Sequence, residues 1–465
     1  MKKVLFIIGG LLSSLAINAQ IMSQSDVAIL FSMEDNNGTA RYNAMSGAFG
    51  ALGGDMSASD VNPAGLAIFK NSQATATFGL RNTDVGASFE GNSNIFDDSY
   101  FNLNQIGGVM VFDSGHQSNW TKLALGVNYT LAKDFENFYT VEGNSGISSI
   151  DIVEFGEPIV NFRDDPYLNF DGNTTNDIFY NDVDNQFFRN ITNGQNEKFT
   201  FTLAAQYNQN LHLGFSIVTH SVDSYQATLF EHASNDGDGN TFDASYLQEL
   251  RTFGEGVGAS FGLIFKPSHE TRFGLAYQTP VWYNLTDEFI DDLEISVSND
   301  PELFVLRNDL SAADYKFTTP SRLTGSFAYL FGKDGLISFD YSYKDYQNIK
   351  LRPTGDFNDV NQELSQTLKG TSQFKVGAEW RLDNISLRGG YFYEESPFED
   401  ALDSDNIEGY SLGIGFKFGS RTKLDLAYQN SKNTGVYNFA NADNFPGAEL
   451  DITNDKFTAT LVIGL

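Results

Sequence analysis

The sequence predicts an all-β fold, a transmembrane antiparallel β-barrel of about 14 strands with an N-terminal plug in the lumen. Three features predict it. Strand-like segments alternate with period two and carry one face rich in rings; the connections between them alternate short and long; and a block of small residues precedes the first segment.

The chain begins as a targeting segment. Lys2 and Lys3 precede a mostly apolar stretch over residues 4–16, and Ala19-Gln20 offers a cleavage junction. That stretch is too short to span a bilayer and reads as a secretory signal over residues 1–19. No later run of about 18 apolar residues occurs, which excludes a helical membrane protein. There are no cysteines, so neither a lipidated Cys nor a disulfide framework is expected. The net charge of -31 repels phosphate backbones and excludes nucleic acid as a partner. A disordered acidic chain would lack the 41 Phe and 21 Tyr found here.

Residues 72–465 carry the barrel pattern. Tyr410, Leu412, Ile414, Phe416 and Phe418 share one face; Ser411, Gly413, Gly415 and Lys417 share the other. Phe374, Val376, Ala378 and Trp380 alternate with Lys375, Gly377, Glu379 and Arg381 in the same way. Rings outside and glycine mixed with charge inside suit a membrane barrel with a wet or plugged lumen. About 14 such segments of roughly 8–12 residues are recognised, near the length a tilted membrane strand needs. They start near Gln73, Gln105, Thr121, Lys198, Leu211, Glu255, Thr271, Arg322, Leu336, Gln373, Ile385, Tyr410, Thr422 and Lys456. Short connections fall at 113–120, 208–210, 267–270, 332–335, 383–384 and 419–421. Long polar loops are expected at 82–104, 132–197, 231–254, 279–321, 345–372, 394–409 and 431–455. Short periplasmic turns and long external loops require an even strand number, place both termini in the periplasm and locate the chain in the outer membrane.

Residues 20–71 do not alternate. Gly47, Gly50, Gly53 and Gly54 are followed by Asp55, Ser57, Ser59 and Asp60, then by Asn62-Pro63-Ala64-Gly65-Leu66. Asn-Pro marks a turn and the glycines permit close backbone packing. Such a block is a poor independent domain and a sensible insert within a barrel, so 20–71 is assigned as the plug.

These residues resemble the N-terminal plug of the FadL/TodX outer-membrane transporters. The resemblance rests on Asn62, Pro63, Ala64, Gly65 and Leu66, preceded by Gly54-Asp55 and by Arg41-Tyr42 through Gly47-Ala48-Phe49-Gly50. It implies a 14-stranded plugged barrel that moves small hydrophobic molecules, such as long-chain fatty acids, across the outer membrane by facilitated diffusion. It also implies release through a lateral gap beside the third strand. Gly126 has lumen-facing parity there and is the candidate gap position; the alternative is a glycine that makes room for the plug. The expected partners are a hydrophobic ligand and outer-membrane lipid, with the barrel a monomer.

Other chemistries find little support. There is no His-Glu-x-x-His and no phosphate loop, so no enzyme and no cofactor are expected. Residues 235–240 look like the start of a calcium loop but lack the glycine and the distal Glu at the expected spacing. Haem or another flat ligand, with His232 as a loop contributor, is one alternative; a non-transporting adhesin or structural barrel is another. For a ligand head group, inward parity singles out Lys375 and Arg388 as a candidate lumen anion site. Counting outward from the tight turn at Asp383-Asn384 places Arg388 opposite Glu379 and Lys375 opposite Phe392.

Overall fold

The computed structural model describes residues 24–114, 118–147, 182–298, 300–419, 421–438 and 446–465. The expected signal and the 148–181 part of the longest expected loop lie outside them.

In chain order the strands are β1 (Gln73–Phe89), β2 (Asn92–Asp113), β3 (Trp120–Asp134), β4 (Asn137–Gly143), β5 (Asp182–Tyr207), β6 (Leu211–Asn235) and β7 (Thr241–Phe265). Then come β8 (Thr271–Gln278), β9 (Trp282–Val297), β10 (Asp300–Arg307), β11 (Ser311–Thr318), β12 (Arg322–Phe331) and β13 (Gly335–Asp345). The chain ends with β14 (Lys350–Arg352), β15 (Gly370–Leu382), β16 (Ile385–Glu394), β17 (Ile407–Phe418), β18 (Thr422–Tyr437) and β19 (Ala448–Gly464). Fourteen of them form a closed antiparallel barrel, because β1 pairs with β19 from Gln73↔Gly464 onward and β8 pairs with β12. The other five, β4, β9, β10, β11 and β14, extend the wall at one end. Closure leaves no barrel edge unpaired.

The two faces of each strand follow from solvent. Phe273, Leu275 and Tyr277 on β8 point out and are exposed, while Gly274 and Ala276 point in. A lipid-facing belt of this kind circles the barrel.

The long loops expected at 82–104 and 231–254 are largely strand. β1 and β2 continue to a two-residue turn at Glu90-Gly91, both with positive φ, and β5 and β6 run 26 and 25 residues. The expectation failed because the polarity inverts along one strand. On β1 the inward residues are Thr75 and Thr77 near the membrane belt but Val85, Ala87 and Phe89 beyond it. Outward residues change from Phe78 and Leu80 to Asn82 and Asp84. Beyond the bilayer the wall faces water outside and must bury apolar groups inside. There Phe89, Tyr139, Phe188, Phe242, Tyr246 and Leu293 form part of one core. The segments at 279–321 and 345–372 likewise hold β9–β11, β14 and helix α3 (Asn358–Thr367).

One level of the wall is interrupted. β8–β12 pairing stops at Gln278↔Arg322 and β9–β11 pairing resumes at Trp282↔Thr318, which sets Pro280 opposite Pro320. Neither proline has an N–H for the ladder. Thr319 bridges the break: its N–H donates to the Val281 carbonyl at 3.1 Å and its Oγ1 accepts from the Val281 N–H at 2.9 Å.

The segment from Gln24 to Ser72 lies within the barrel. It holds α1 (Gln24–Ser32), α2 (Ala40–Asn43) and two 3-10 turns, Met56–Asp60 and Pro63–Ile68. It bonds to the wall on opposite sides: Ala40 N–H to Thr460 Oγ1 (2.6 Å), Gly50 N–H to Asp340 Oδ2 (2.9 Å) and Asn62 Nδ2 to the Leu263 carbonyl (3.1 Å).

Candidate functional site

Towards the short-turn end, the N-terminal segment meets the wall backbone to backbone. Gly126, Gly214, Gly262, Gly274, Gly377, Gly390 and Gly413 stand on seven strands and face it. An added Cβ at any of them would come within 2.6 Å of the segment, at residues 44–66. Real Cβ atoms do not approach so closely, and at Gly214, Gly274, Gly377 and Gly390 the atom met is backbone that cannot swing aside, so those positions require glycine. Gly126 is part of it: its missing Cβ leaves room for Leu66. β3 is paired on both sides there, with Val109 and with Thr202, and no register shift falls at Gly126. A wall gap at that position is therefore absent from this structure.

The motif residues hold the segment's own shape. Asn62 caps the second 3-10 turn by accepting from Ala64 N–H at 3.1 Å, and its Nδ2 also donates to the Gly50 carbonyl at 2.7 Å. Pro63 opens that turn, where a missing N–H costs nothing. Asp55 caps the first turn through Ser57 N–H and accepts from Thr39 Oγ1 at 2.7 Å. Gly54 N–H donates to the Gly65 carbonyl at 3.0 Å, closing the two turns on each other.

Arg388 and Lys375 differ in kind. The register is the expected one, Glu379↔Arg388 and Lys375↔Phe392. Arg388 is bound by Glu379 at 2.8 Å and Asp425 at 2.6 Å, and Arg41 of α2 reaches the same Glu379 at 2.7 Å. With two carboxylates of its own, Arg388 has little capacity for a ligand anion and serves to clamp the N-terminal segment. Lys375 donates only to Asn36 Oδ1, at 3.4 Å, and makes no ion pair among the described residues.

Beyond the seam the segment crosses the lumen as residues 33–37 and open space flanks it. On one side the cavity is lined by Phe31, Glu34, Lys198, His220, Arg322 and Lys344, among others, and backs onto the Thr319-Pro320 interruption. Glu34 lies 3.4 Å from Lys198 and 3.7 Å from Arg322, and Lys344 donates to the Ser32 carbonyl at 3.2 Å. Burial alone would raise the Glu34 carboxyl. Lys198, Arg322, Lys344 and His220 outweigh it and hold Glu34 well below the usual carboxylate range. Phe31 also lines a second, apolar cavity with Val27, Leu250, Tyr315, Phe317 and Leu351. Its one carboxyl is Asp287, which burial pushes up to about 6 although Thr252 and Tyr315 donate to it. A chamber that holds three cations, Lys198, Arg322 and Lys344, and two carboxylates, Glu34 and Asp60 (3.8 Å from Lys198), thus adjoins an apolar one, and Phe31 lines both.

Sequence reading missed Glu34, Lys198, Arg322 and Lys344. Lys198, Arg322 and Lys344 had the inward parity that singled out Lys375; Arg322 and Lys344 are partners across the β12–β13 hairpin, and only the closed barrel adds Lys198 to them. His220, by contrast, is engaged by Asn196 at 3.0 Å.

A closed fourteen-stranded barrel with a lipid-facing belt and an inner N-terminal segment defines an outer-membrane β-barrel protein. Residues 174–461 match the family model described as outer membrane protein transport protein (OMPP1/FadL/TodX), and the chain belongs to that family. It is 24% identical over 198 residues to outer membrane protein P1 of Haemophilus influenzae. That match spans 41% of this chain and 40% of the length of the relative. The fold is similar to a crystal structure of a Pseudomonas aeruginosa FadL homologue: TM-score 0.58, 14% identity, covering 93% of this chain and 99% of that one. It is also similar to the P. putida toluene transporter TodX, with TM-score 0.54 and 12% identity over 92% of this chain and 99% of that one.

Proposed function

We propose that this protein carries small hydrophobic molecules across the outer membrane by facilitated diffusion, and that amphiphiles with a carboxylate head, such as long-chain fatty acids, are among them. The observation that carries this reading is the adjacent pair of chambers, one rich in cations and one apolar, which share Phe31 in their linings. A fatty acid would place its head by Lys198, Arg322 and Lys344 and its tail among Val27, Tyr315 and Leu351. Glu34 occupies the head position in this structure, so an incoming carboxylate must displace it. Lys375 is a secondary cation on the other flank of residues 33–37; Arg388 is left out because its carboxylates already neutralise it. The N-terminal segment acts as the plug. The short-turn end, where Leu465 N–H meets the Ser72 carbonyl at 3.0 Å, faces the periplasm. The closed barrel works as a monomer after removal of residues 1–19.

The test compares ligands in a Lys198→Gln/Arg322→Gln variant. Affinity for a long-chain fatty acid should fall about tenfold, which corresponds to ~1.4 kcal/mol, with an uncharged hydrocarbon unaffected. Equal losses for both ligands, or none, would reject the head-group assignment.

A further inference from the structure

The lumen has a second basic cluster, at the short-turn end and beneath the plug. Lys122, His212, Lys266 and Arg272 come from β3, β6, the turn after β7, and β8. Their placement follows from register. Lys122 pairs with Gln206, Gln206 with His212 and His212 with Ile264, while Lys266 and Arg272 flank the Phe265↔Phe273 pair. With strands about 4.8 Å apart, each cation lies within roughly 10 Å of His212 along the wall. Lys266, Arg272 and Lys122 all act electrostatically on the His212 ring, and Lys70 adds to the field on Lys266.

Two features set this cluster apart. First, its charge is unanswered. The other arginines facing this lumen, Arg41, Arg81, Arg322, Arg381 and Arg388, each have a carboxylate within ion-pair distance. Among the described residues Arg272, Lys122 and Lys266 have none; Asp113 acts on Lys122 from farther away. Lys122 Nζ donates to the Phe69 carbonyl at 2.7 Å and Arg272 Nη1 to the Leu52 carbonyl at 2.6 Å, and both acceptors are neutral. The nearby Glu270 is exposed and held by Ser268. Second, polar atoms are left over. His212 is 1% exposed; neither ring nitrogen has a partner at good hydrogen-bond geometry, and the Ile264 carbonyl is the one backbone acceptor acting on the ring, more strongly than Arg272 or Lys122 does. Arg272 Nε is also buried without a partner. Buried donors beside unneutralised cations, in a chain of net charge -31, call for an anion that the polypeptide does not supply.

We infer that Lys122, His212, Lys266 and Arg272 form an oxyanion-binding site that takes the carboxylate or phosphate head of an amphiphile at the barrel's short-turn end. Because Lys122 and Arg272 also hold plug carbonyls, an anion there would compete with the plug for two of its wall anchors. The head could belong to a ligand leaving the lumen or to a lipid of the adjoining leaflet.

Dodecyl phosphate is the probe, measured by equilibrium dialysis against the full barrel in neutral detergent. Two molecules should bind per barrel. A Lys266→Gln/Arg272→Gln variant should lose one, and Lys198→Gln/Arg322→Gln the other. Loss only in the second variant overturns the rim site and leaves the function proposed above intact; loss only in the first does the reverse. Folding of the rim variant is checked by heat-modifiable mobility. Independently of any variant, the probe should protect Lys122 and Lys266 from amine acetylation in the unsubstituted protein, and absence of protection overturns the site. Repeating the dialysis in vesicles with and without phosphatidylglycerol separates the sources. If the anionic lipid fills the rim site, the head group comes from the bilayer; if the site stays free for the probe, it comes through the lumen.

Discussion

The two halves of the lumen are built on opposite principles. Near the short turns, seven wall glycines admit the N-terminal segment so closely that backbones touch. Farther along, around residues 33–37, the same segment is held across open space by the pairs Glu34–Lys198, at 3.4 Å, and Asp35–Lys133, at 2.8 Å. A seam packed this closely, without charged side chains on the wall glycines, leaves little room for solute. Charged tethers across a cavity can be replaced by a ligand's own charge. The difference separates the seal from the site, and each half can be disturbed alone.

The largest expected effect comes from removing the seal. Deleting residues 24–66 should leave a barrel that inserts, because the strand ladder closes without them, but that conducts small polar solutes. Single-channel recording checks this, and a deletion variant as closed as the parent would mean that the block does not fill the pore.

Ile414→Arg and Gly413→Ser then separate wall from seal at neighbouring positions. Ile414 shares the lipid-facing parity of exposed Leu412 and Phe418, and arginine near mid-membrane should cost about 2–4 kcal/mol of insertion. Gly413 faces Ala44 of the plug, so its serine variant should fold normally and yet leak, since a Cβ there would strike the Ala44 methyl. Folding yield in lipid vesicles reads the first effect and conductance the second; leak-free Gly413→Ser would dissolve the contrast between the two halves.

Asp287 sharpens the description of the apolar chamber. Its carboxyl is pushed up to about 6 from an ordinary 3.8, so the folded state favours the proton. Stability is therefore gained as pH falls through 6 toward 3.8 and is lost above 6. Asp287→Asn should stabilise β9 and β11 by on the order of 2 kcal/mol at pH 8 and by little at pH 4, read as slowed amide exchange. An identical gain at both values would place the carboxyl in water.

The smallest effect belongs to Lys375. Its lone bond to Asn36 is long, so Lys375→Gln should weaken fatty-acid uptake by roughly 0.5–1 kcal/mol and spare an uncharged hydrocarbon. No selectivity would leave the Glu34 chamber as the head-group position beside residues 33–37.

Much of the barrel was legible because membrane strands obey one local rule. Rings outward and small or polar residues inward gave all fourteen barrel strands, and the turn at Asp383-Asn384 gave the Lys375↔Phe392 register. The same rule hid the extensions. At Asn82 and Asp84 the outward face turns polar while Val85 and Phe89 turn apolar inward, and the pattern looks like a loop when read for rings outside. The site was less legible for a different reason. Glu34, Lys198 and the Arg322–Lys344 hairpin pair are far apart in sequence, and only barrel closure and the path of the plug bring them to one cavity.

That inversion along β1 also means that a single strand passes through two solvents. In the bilayer, apolar side chains gain little by leaving lipid for one another, so the belt region relies on its hydrogen-bonded ladder and the fit of the plug. Beyond it, Phe89, Tyr139, Phe188 and Phe242 are driven together by water. Urea and cooling weaken that second force and barely touch the first. The end beyond the lipid-facing belt should therefore loosen first on both treatments, while the membrane-embedded end keeps its ladder.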